Sequence, residues 1–284
     1  MKESNSLIVN LLKLFRWNNL LIILATQYLA AYALIPEQTL ASLAENWGLL
    51  IMSISTISIA AAGYVINDYY DVKIDYVNRP NRVVVGRFLK RRSILFIHAG
   101  LNGVGILGGL LVSWQVGLIN FLAAGLLWLY SNQLKRLALL GNTSVGFLTG
   151  MAVFVVYVLF KESIFLFSAY AFFAFFISLI SEIIKDMEDV EGDKKFDCKT
   201  LPIVIGQRYT KLVIYIIVLI FIGVVAILLQ EEPKFWYVLG GLTLMLSILT
   251  YRLAWADKTI DFAKLSGFCK QIMILGLISM IFLK

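Results

Sequence analysis

Long apolar runs alternate with short polar breaks along this chain, and the length of the runs decides what they are. Nine stretches carry almost no charge, at about 14–36, 47–68, 92–113, 115–131, 143–160, 164–186, 211–230, 234–254 and 266–283. A helix rises about 1.5 Å per residue, so roughly 20 apolar residues match the hydrocarbon core of a bilayer. The pattern predicts an all-α polytopic membrane protein with nine transmembrane helices. Spans three and four are joined tightly around Ser113 to Gln115, and spans five and six by Lys161-Glu162-Ser163. The first apolar run continues into a full span without a small-residue cleavage site, so it is expected to stay as a span.

Composition agrees with that reading. The chain is 60% hydrophobic and 15% charged, with a mean hydropathy of +0.83. Soluble domains average about 45–50% apolar and about 25% charged, which excludes an ordinary soluble core. The net charge is +7, and its distribution says more than its size. All but four of the 25 basic residues lie at the N-terminus or after spans two, four, six and eight; the four are Lys161, Lys234, Lys270 and Lys284. That asymmetry predicts an integral membrane protein, at the cell membrane, with a cytoplasmic N-terminus and a C-terminus outside. Topology accounts for the basic residues, so no nucleic-acid partner is expected. Cys198 and Cys269 fall in a cytoplasmic loop and a membrane helix, and neither a disulfide nor a metal site is expected of them.

One carboxylate pattern occurs twice. N-D-Y-Y-D-V-K-I-D at 67–75 holds Asp68, Asp71 and Asp75; K-D-M-E-D-V-E-G-D at 185–193 holds Asp186, Asp189 and Asp193. Both read D-x-x-D-x-x-x-D, and each ends a long apolar run at the cytoplasmic side. On a helix, positions i, i+3 and i+7 fall within roughly 60° of one another, so each copy aims three acids one way. Six aimed carboxylates repel one another unless cations sit among them. Hard oxygen ligands suit Mg²⁺, which usually shares its shell with substrate phosphates. The two motif-bearing spans run in the same direction, four spans apart. The chain therefore reads as one domain over 1–284 with two parallel pseudo-repeats. Transporters commonly use inverted repeats and helices broken at the midplane. Here the charges gather at one face, and two long loops, 69–91 and 187–210, follow the motifs.

Cations accompany the acids. Arg79, Arg82 and Arg87 follow the first motif, and Lys185, Lys194, Lys195 and Lys199 surround the second. Arg presents a planar fork of donors suited to phosphate oxygens. For Arg87, Lys90, Arg91 and Arg92 the ordinary reading is a topology-setting flank. A third constellation, Y-S-N-Q-L-K-R-L-A-L-L-G-N at 130–142, offers Tyr130, Lys135 and Asn142 at the inner end of span four. Arg16 and Asn19, in F-R-W-N-N, open span one at the same face. His98, the only histidine, is expected to be a hydrogen-bonded packing residue. Gly103, Gly105, Gly108 and Gly109 are expected to let helices approach closely.

These residues resemble the UbiA superfamily of intramembrane prenyltransferases over essentially the whole chain. The anchors are the two acid motifs and T-L-P-I-V-I-G at 200–206, supported by N-R-P-N-R at 78–82 and Y-S-N-Q-L-K at 130–135. The resemblance implies a UbiA-like bundle of nine helices around a central cavity, with a cytoplasmic cap built from the two long loops. It implies Mg²⁺-dependent transfer of a prenyl group from an allylic diphosphate, with Mn²⁺ able to substitute. Asp68, Asp71, Asp186 and Asp189 match the magnesium-side positions, and Asp75 and Asp193 match the third acid of each motif. Asn67, Arg79, Lys135 and Lys185 match positions that contact diphosphate or support the metals. Arg16, Asn19, Arg82 and Asn142 join the substrate-binding set, and Tyr130 is placed with the catalytic acids. The E-G-D and T-L-P elements look closer to the (di)geranylgeranylglyceryl phosphate synthase and the homogentisate or naphthoate branches than to the 4-hydroxybenzoate branch. Arg16 to Asn19 is similar to the R-P-x-N start of the glyceryl-phosphate branch, with Trp17 in place of Pro. The expected partners are thus membrane lipids, a prenyl diphosphate, and a phosphorylated lipid-like or aromatic acceptor. Two other classes stay open, a membrane transporter for cations or phosphate and a non-catalytic lipid-binding scaffold.

Overall fold

A computed structural model describes residues 10–78, 83–231 and 234–284, and these are helical almost throughout. The helices are α1 (Trp17–Leu34), α2 (Leu40–Ala44), α3 (Trp47–Asn78), α4 (Arg91–Val112), α5 (Trp114–Asn132), α6 (Leu140–Phe160), α7 (Ile164–Glu188), α8 (Val190–Lys195), α9 (Leu201–Val204), α10 (Gly206–Leu229), α11 (Phe235–Ala254) and α12 (Thr259–Leu283). Among the described residues, eight helices are long and apolar enough to cross a membrane: α3 to α7 and α10 to α12. Helix α1 takes the place of the first expected span. No strand forms among the described residues; backbone pairing outside helices is limited to isolated bridges.

The helices gather into two compact units. One holds the described residues up to Tyr28 and Ala44–Leu134; the other holds Leu29–Leu43 and Lys135–Lys284. In each, the acid-bearing helix is the central one. The most apolar stretch is 61% buried in α3 and 56% in α7, against 17–33% in the other six spans. In the first unit α3 packs on α4 and α5. The expected glycines permit this: a Cβ on Gly105 would lie 2.5 Å from the Ile59 side chain, and one on Gly109 would lie 3.1 Å from the Gly117 backbone. Asn120, buried on α5, donates to Ser55 Oγ at 3.0 Å and to the Gly105 carbonyl at 2.8 Å, tying the three helices together without stranding a polar group in lipid.

In the second unit α7 is packed by α6, α10 and α12. Its buried face, Ile177, Ile180, Ile183 and Ile184, meets Ile214, Phe221 and Phe262. Gly146 and Gly150 on α6 set the spacing, since a Cβ there would meet the Phe175 and Ala171 carbonyl oxygens at 2.9 and 2.8 Å. Backbone cannot move aside as a side-chain tip can. Gly150→Ala is therefore expected to destabilise the protein by about 1–3 kcal/mol, the usual size of overpacking. Thermal unfolding in detergent measures it, with Gly125→Ala as control because nothing lies within 4 Å of that position.

The structure departs from expectation beyond the membrane ends of the motif helices. Helix α3 does not end at 68 but continues to Asn78, and α7 continues to Glu188. Much of the two expected long loops is therefore helix, the second being taken up by the end of α7, by α8 and α9, and by the start of α10. A hydropathy pattern marks where lipid ends, and a helix need not stop there.

Candidate active site

The first acid stripe lies on one unbroken helix. Asp68, Asp71 and Asp75 are each half-buried on α3, and seven residues of helix spread them over about 10 Å. Arg16 Nη2 donates to Asp68 Oδ1 at 3.0 Å. The same guanidinium lies over the Tyr64 ring, 4.9 Å from its centroid, and the Tyr64 hydroxyl accepts from Asn19 Nδ2 at 3.3 Å. Tyr64 precedes Asp68 by one turn on the same face. Tyr130, half-buried on α5, lies within electrostatic reach of Arg16. Arg16, Asn19, Asn67, Asp68 and Tyr130 thus all belong to the first unit, and Arg16 links the stripe to the start of α1. Arg79 and Arg82 lie outside the described residues. Arg91 stacks on Tyr69 at 4.5 Å and donates to its carbonyl at 3.4 Å, which gives this flank cation a structural partner.

The second stripe is jointed. Asp186 lies in the last turn of α7, Asp189 sits between helices with φ −95° and ψ 7°, and Asp193 rides on α8. The expectation of a single helix for all three acids is corrected here: the helix breaks at the middle acid. Asn142, buried at the start of α6, donates from Nδ2 to Asp186 Oδ2 at 2.8 Å. A residue expected on the substrate side thus fixes the orientation of a carboxylate. Lys185 Nζ donates to Glu182 Oε1, one turn deeper in α7. Sequence reading missed Glu182, although its signal was present. Positions 182, 186, 189 and 193 continue the stripe by steps of four, three and four, with Glu182 matching Tyr64 of the first copy. Glu182, Asp189 and Asp193 all lie close enough to Asp186 to repel it.

The T-L-P-I-V-I-G element builds the elbow after this stripe. Thr200 precedes α9, Pro202 stands in its first turn, and Gly206 takes φ +81° to start α10. That left-handed angle costs glycine nothing. The Lys199 amide donates to the Arg136 carbonyl at 2.8 Å, and Leu137 bridges Lys199. Lys135, half-buried in the turn Leu134–Arg136, is thereby held in the second unit with Asn142 and Asp186. Among the described residues, no three His, Cys, Asp or Glu side chains converge closely enough to hold a metal ion by themselves. The axial spread of each stripe explains this. His98 Nδ1 lies 3.0 Å from the Ala62 carbonyl and His98 Nε2 3.1 Å from Asn102 Nδ2, a packing role apart from the acids. Cys198 and Cys269 are buried free thiols.

Paired acid stripes at the ends of central membrane helices, each held by a donor from another helix or segment, belong to a known class. The sequence profile of the UbiA prenyltransferase family matches residues 19–271. This chain belongs to the UbiA prenyltransferase family and is an integral membrane protein. It is 37% identical over 188 residues to the digeranylgeranylglyceryl phosphate synthase of Methanosarcina mazei, covering 64% of this chain and 62% of that protein. It is 34% identical over 163 residues to the enzyme of that name from Methanosphaera stadtmanae, covering 57% and 60%. The matched regions span about three fifths of the length of these curated relatives. The fold is similar to a solved digeranylgeranylglyceryl phosphate synthase, with a TM-score of 0.70, 24% identity and coverage of 96% of this chain and 97% of that one. It is also similar to a UbiA homologue from Archaeoglobus fulgidus bound to DMAPP and Mg²⁺, with a TM-score of 0.73, 16% identity and coverage of 96% and 99%.

Proposed function

We propose that this chain transfers a prenyl group, geranylgeranyl, from its allylic diphosphate to geranylgeranylglyceryl phosphate, making an ether lipid. The reaction breaks the bond between C1 and the diphosphate oxygen and forms an ether bond from the acceptor's free hydroxyl oxygen to C1. Diphosphate and a proton leave. The observation that carries this reading is the pairing at each stripe: Asp68 with Arg16 and Asp186 with Asn142, at the ends of the two most buried spans. Family membership and the shared name of the curated relatives support it.

Mg²⁺ fits the donor set. The ligands are hard carboxylate oxygens, and a stripe about 10 Å long leaves most of an ion's shell to water and phosphate oxygens, as Mg²⁺ prefers. Asp68 and Asp71 would hold it on the first stripe and Asp186 and Asp189 on the second, with Asp75 and Asp193 as supporting acids; Mn²⁺ substitutes. When bound, the metal supplies positive charge against the departing diphosphate. Lys185, Lys135 and Arg16, with Arg79 and Arg82, offer donors to phosphate oxygens. Asn142 holds Asp186 in one orientation, and Asn67 and Asn19 present neutral donors beside the stripe. Tyr130 would stabilise the allylic cation by its ring face, a contact worth about 0.5–2 kcal/mol. The apolar helices keep water from that cation. The distribution of basic residues supports a cytoplasmic position for the acid-bearing ends and the N-terminus, with the C-terminus outside.

The test supplies purified protein with geranylgeranyl diphosphate and one acceptor at a time, and follows diphosphate release and the prenylated product. Ether formation on geranylgeranylglyceryl phosphate is expected. Prenylation of homogentisate, dihydroxynaphthoate or 4-hydroxybenzoate in its place overturns the acceptor and leaves prenyl transfer standing. Metal-dependent ion flux without diphosphate release makes the protein a transporter.

A further inference from the structure

Arg16 stands where a cation is wanted. Its guanidinium is 3.0 Å from Asp68 Oδ1 and stacked on Tyr64. The backbone is bent to put it there. Residues 10–14 are helical, the chain breaks at 15–16, and α1 begins at Trp17. Arg16 itself takes φ +50°, a left-handed angle that a residue with a Cβ adopts only under constraint. The Asn19 and Leu20 amides close the elbow by donating to its carbonyl at 2.7 and 3.4 Å. The arginine side chain is 43% exposed and the aspartate only 15%, so the cation lies on the outer side of the acid.

We propose that Arg16 is the resident cation of the first acid stripe, holding the place at Asp68 that a divalent metal takes and passing to a phosphate oxygen when substrate arrives. This rests on the reading of Asp68 as a metal ligand. A metal ion and a guanidinium compete for one carboxylate and repel each other. Metal binding alone must therefore break the Arg16–Asp68 pair and leave the arginine without its anion. A diphosphate supplies the missing anion, and the planar fork of Arg suits it. Metal and diphosphate then bind with mutual enhancement, which is reciprocal by linkage. Empty, Asp68 keeps Arg16 as its partner, and the stripe discriminates against loading by metal alone.

Mn²⁺ binding to detergent-purified protein, read by electron paramagnetic resonance, requires no turnover. Arg16→Gln is expected to bind Mn²⁺ about three- to fivefold more tightly than wild type, the scale of a half-exposed ion pair. Lys13→Gln controls for loss of a nearby charge and is expected to gain less than half of that. Equal gains in both variants, or none in Arg16→Gln, overturn the proposal. Hydrogen exchange on the wild type makes a second test that needs no variant. Mn²⁺ alone should speed exchange at the amides of residues 15–20, and a saturating non-hydrolysable thio-analogue of geranylgeranyl diphosphate should slow it again. Unchanged exchange in both steps overturns the proposal. Mn²⁺ affinity that survives Asp68→Asn undiminished overturns the metal reading of Asp68 and the exchange with it.

Discussion

Asp68→Ala and Asp186→Ala are each expected to cut prenyl-transfer turnover at least about a hundredfold, with the protein still folded in detergent. The size is that of removing one fixed electrostatic stabiliser of a charged transition state, roughly 3 kcal/mol. The two variants should differ in stability. Asp186 accepts from Asn142, which is buried, so its loss strands a donor and costs about 1–3 kcal/mol. Asp68 pairs with a half-exposed arginine, where water replaces the partner, so its loss costs less. Product formation and thermal unfolding, measured on the same preparations, separate the effects. Wild-type turnover in either variant removes that acid from the reaction, and a larger melting loss in Asp68→Ala contradicts the described pairing.

Excess EDTA is expected to abolish transfer down to the uncatalysed background, and Mg²⁺ or Mn²⁺ added back beyond the chelator to restore it. The motive is again the donor chemistry. Each stripe gathers three carboxylates on one face, and the second adds Glu182 a turn deeper. In the first, Arg16 pairs with Asp68, and in the second Lys185 pairs with Glu182. A diphosphate approaching such a face without a divalent ion meets like charge. Transfer that continues undiminished in excess EDTA defeats the metal assignment, whatever the acceptor proves to be.

The fold was open to reading because lipid imposes one length on every span, and each apolar run has its helix at the expected place. The ends were not, because nothing in hydropathy tells a helix to stop at the membrane surface. Thus α3 continues to Asn78 past an expected end at 68, and α12 begins at Thr259 before an expected start at 266. Within the site, the acids were legible because their spacing is local. Their partners were not. Arg16 reaches Asp68 across 52 positions of sequence and Asn142 reaches Asp186 across 44, and such contacts are made by packing. Asn142 was found as a residue, but its pairing with Asp186 was not. Glu182 was the reverse case, legible by spacing and passed over because the repeat was sought as aspartates alone.

Identical spelling does not confer identical mechanics. The first copy is engraved on a continuous rod, and a residue inserted after Asp71 would swing Asp75 by about 100° around the axis, out of line with its fellows. The second copy has a joint at Asp189, and the same insertion there would be absorbed by a turn that already departs from the helix. The continuous copy fixes the spacing of its acids by helix geometry alone, whereas in the second the spacing from Asp186 to Asp193 depends on the turn at Asp189. Tolerance of insertions and deletions among natural variants should therefore be lopsided, concentrated after Asp189 and absent between Asp68 and Asp75.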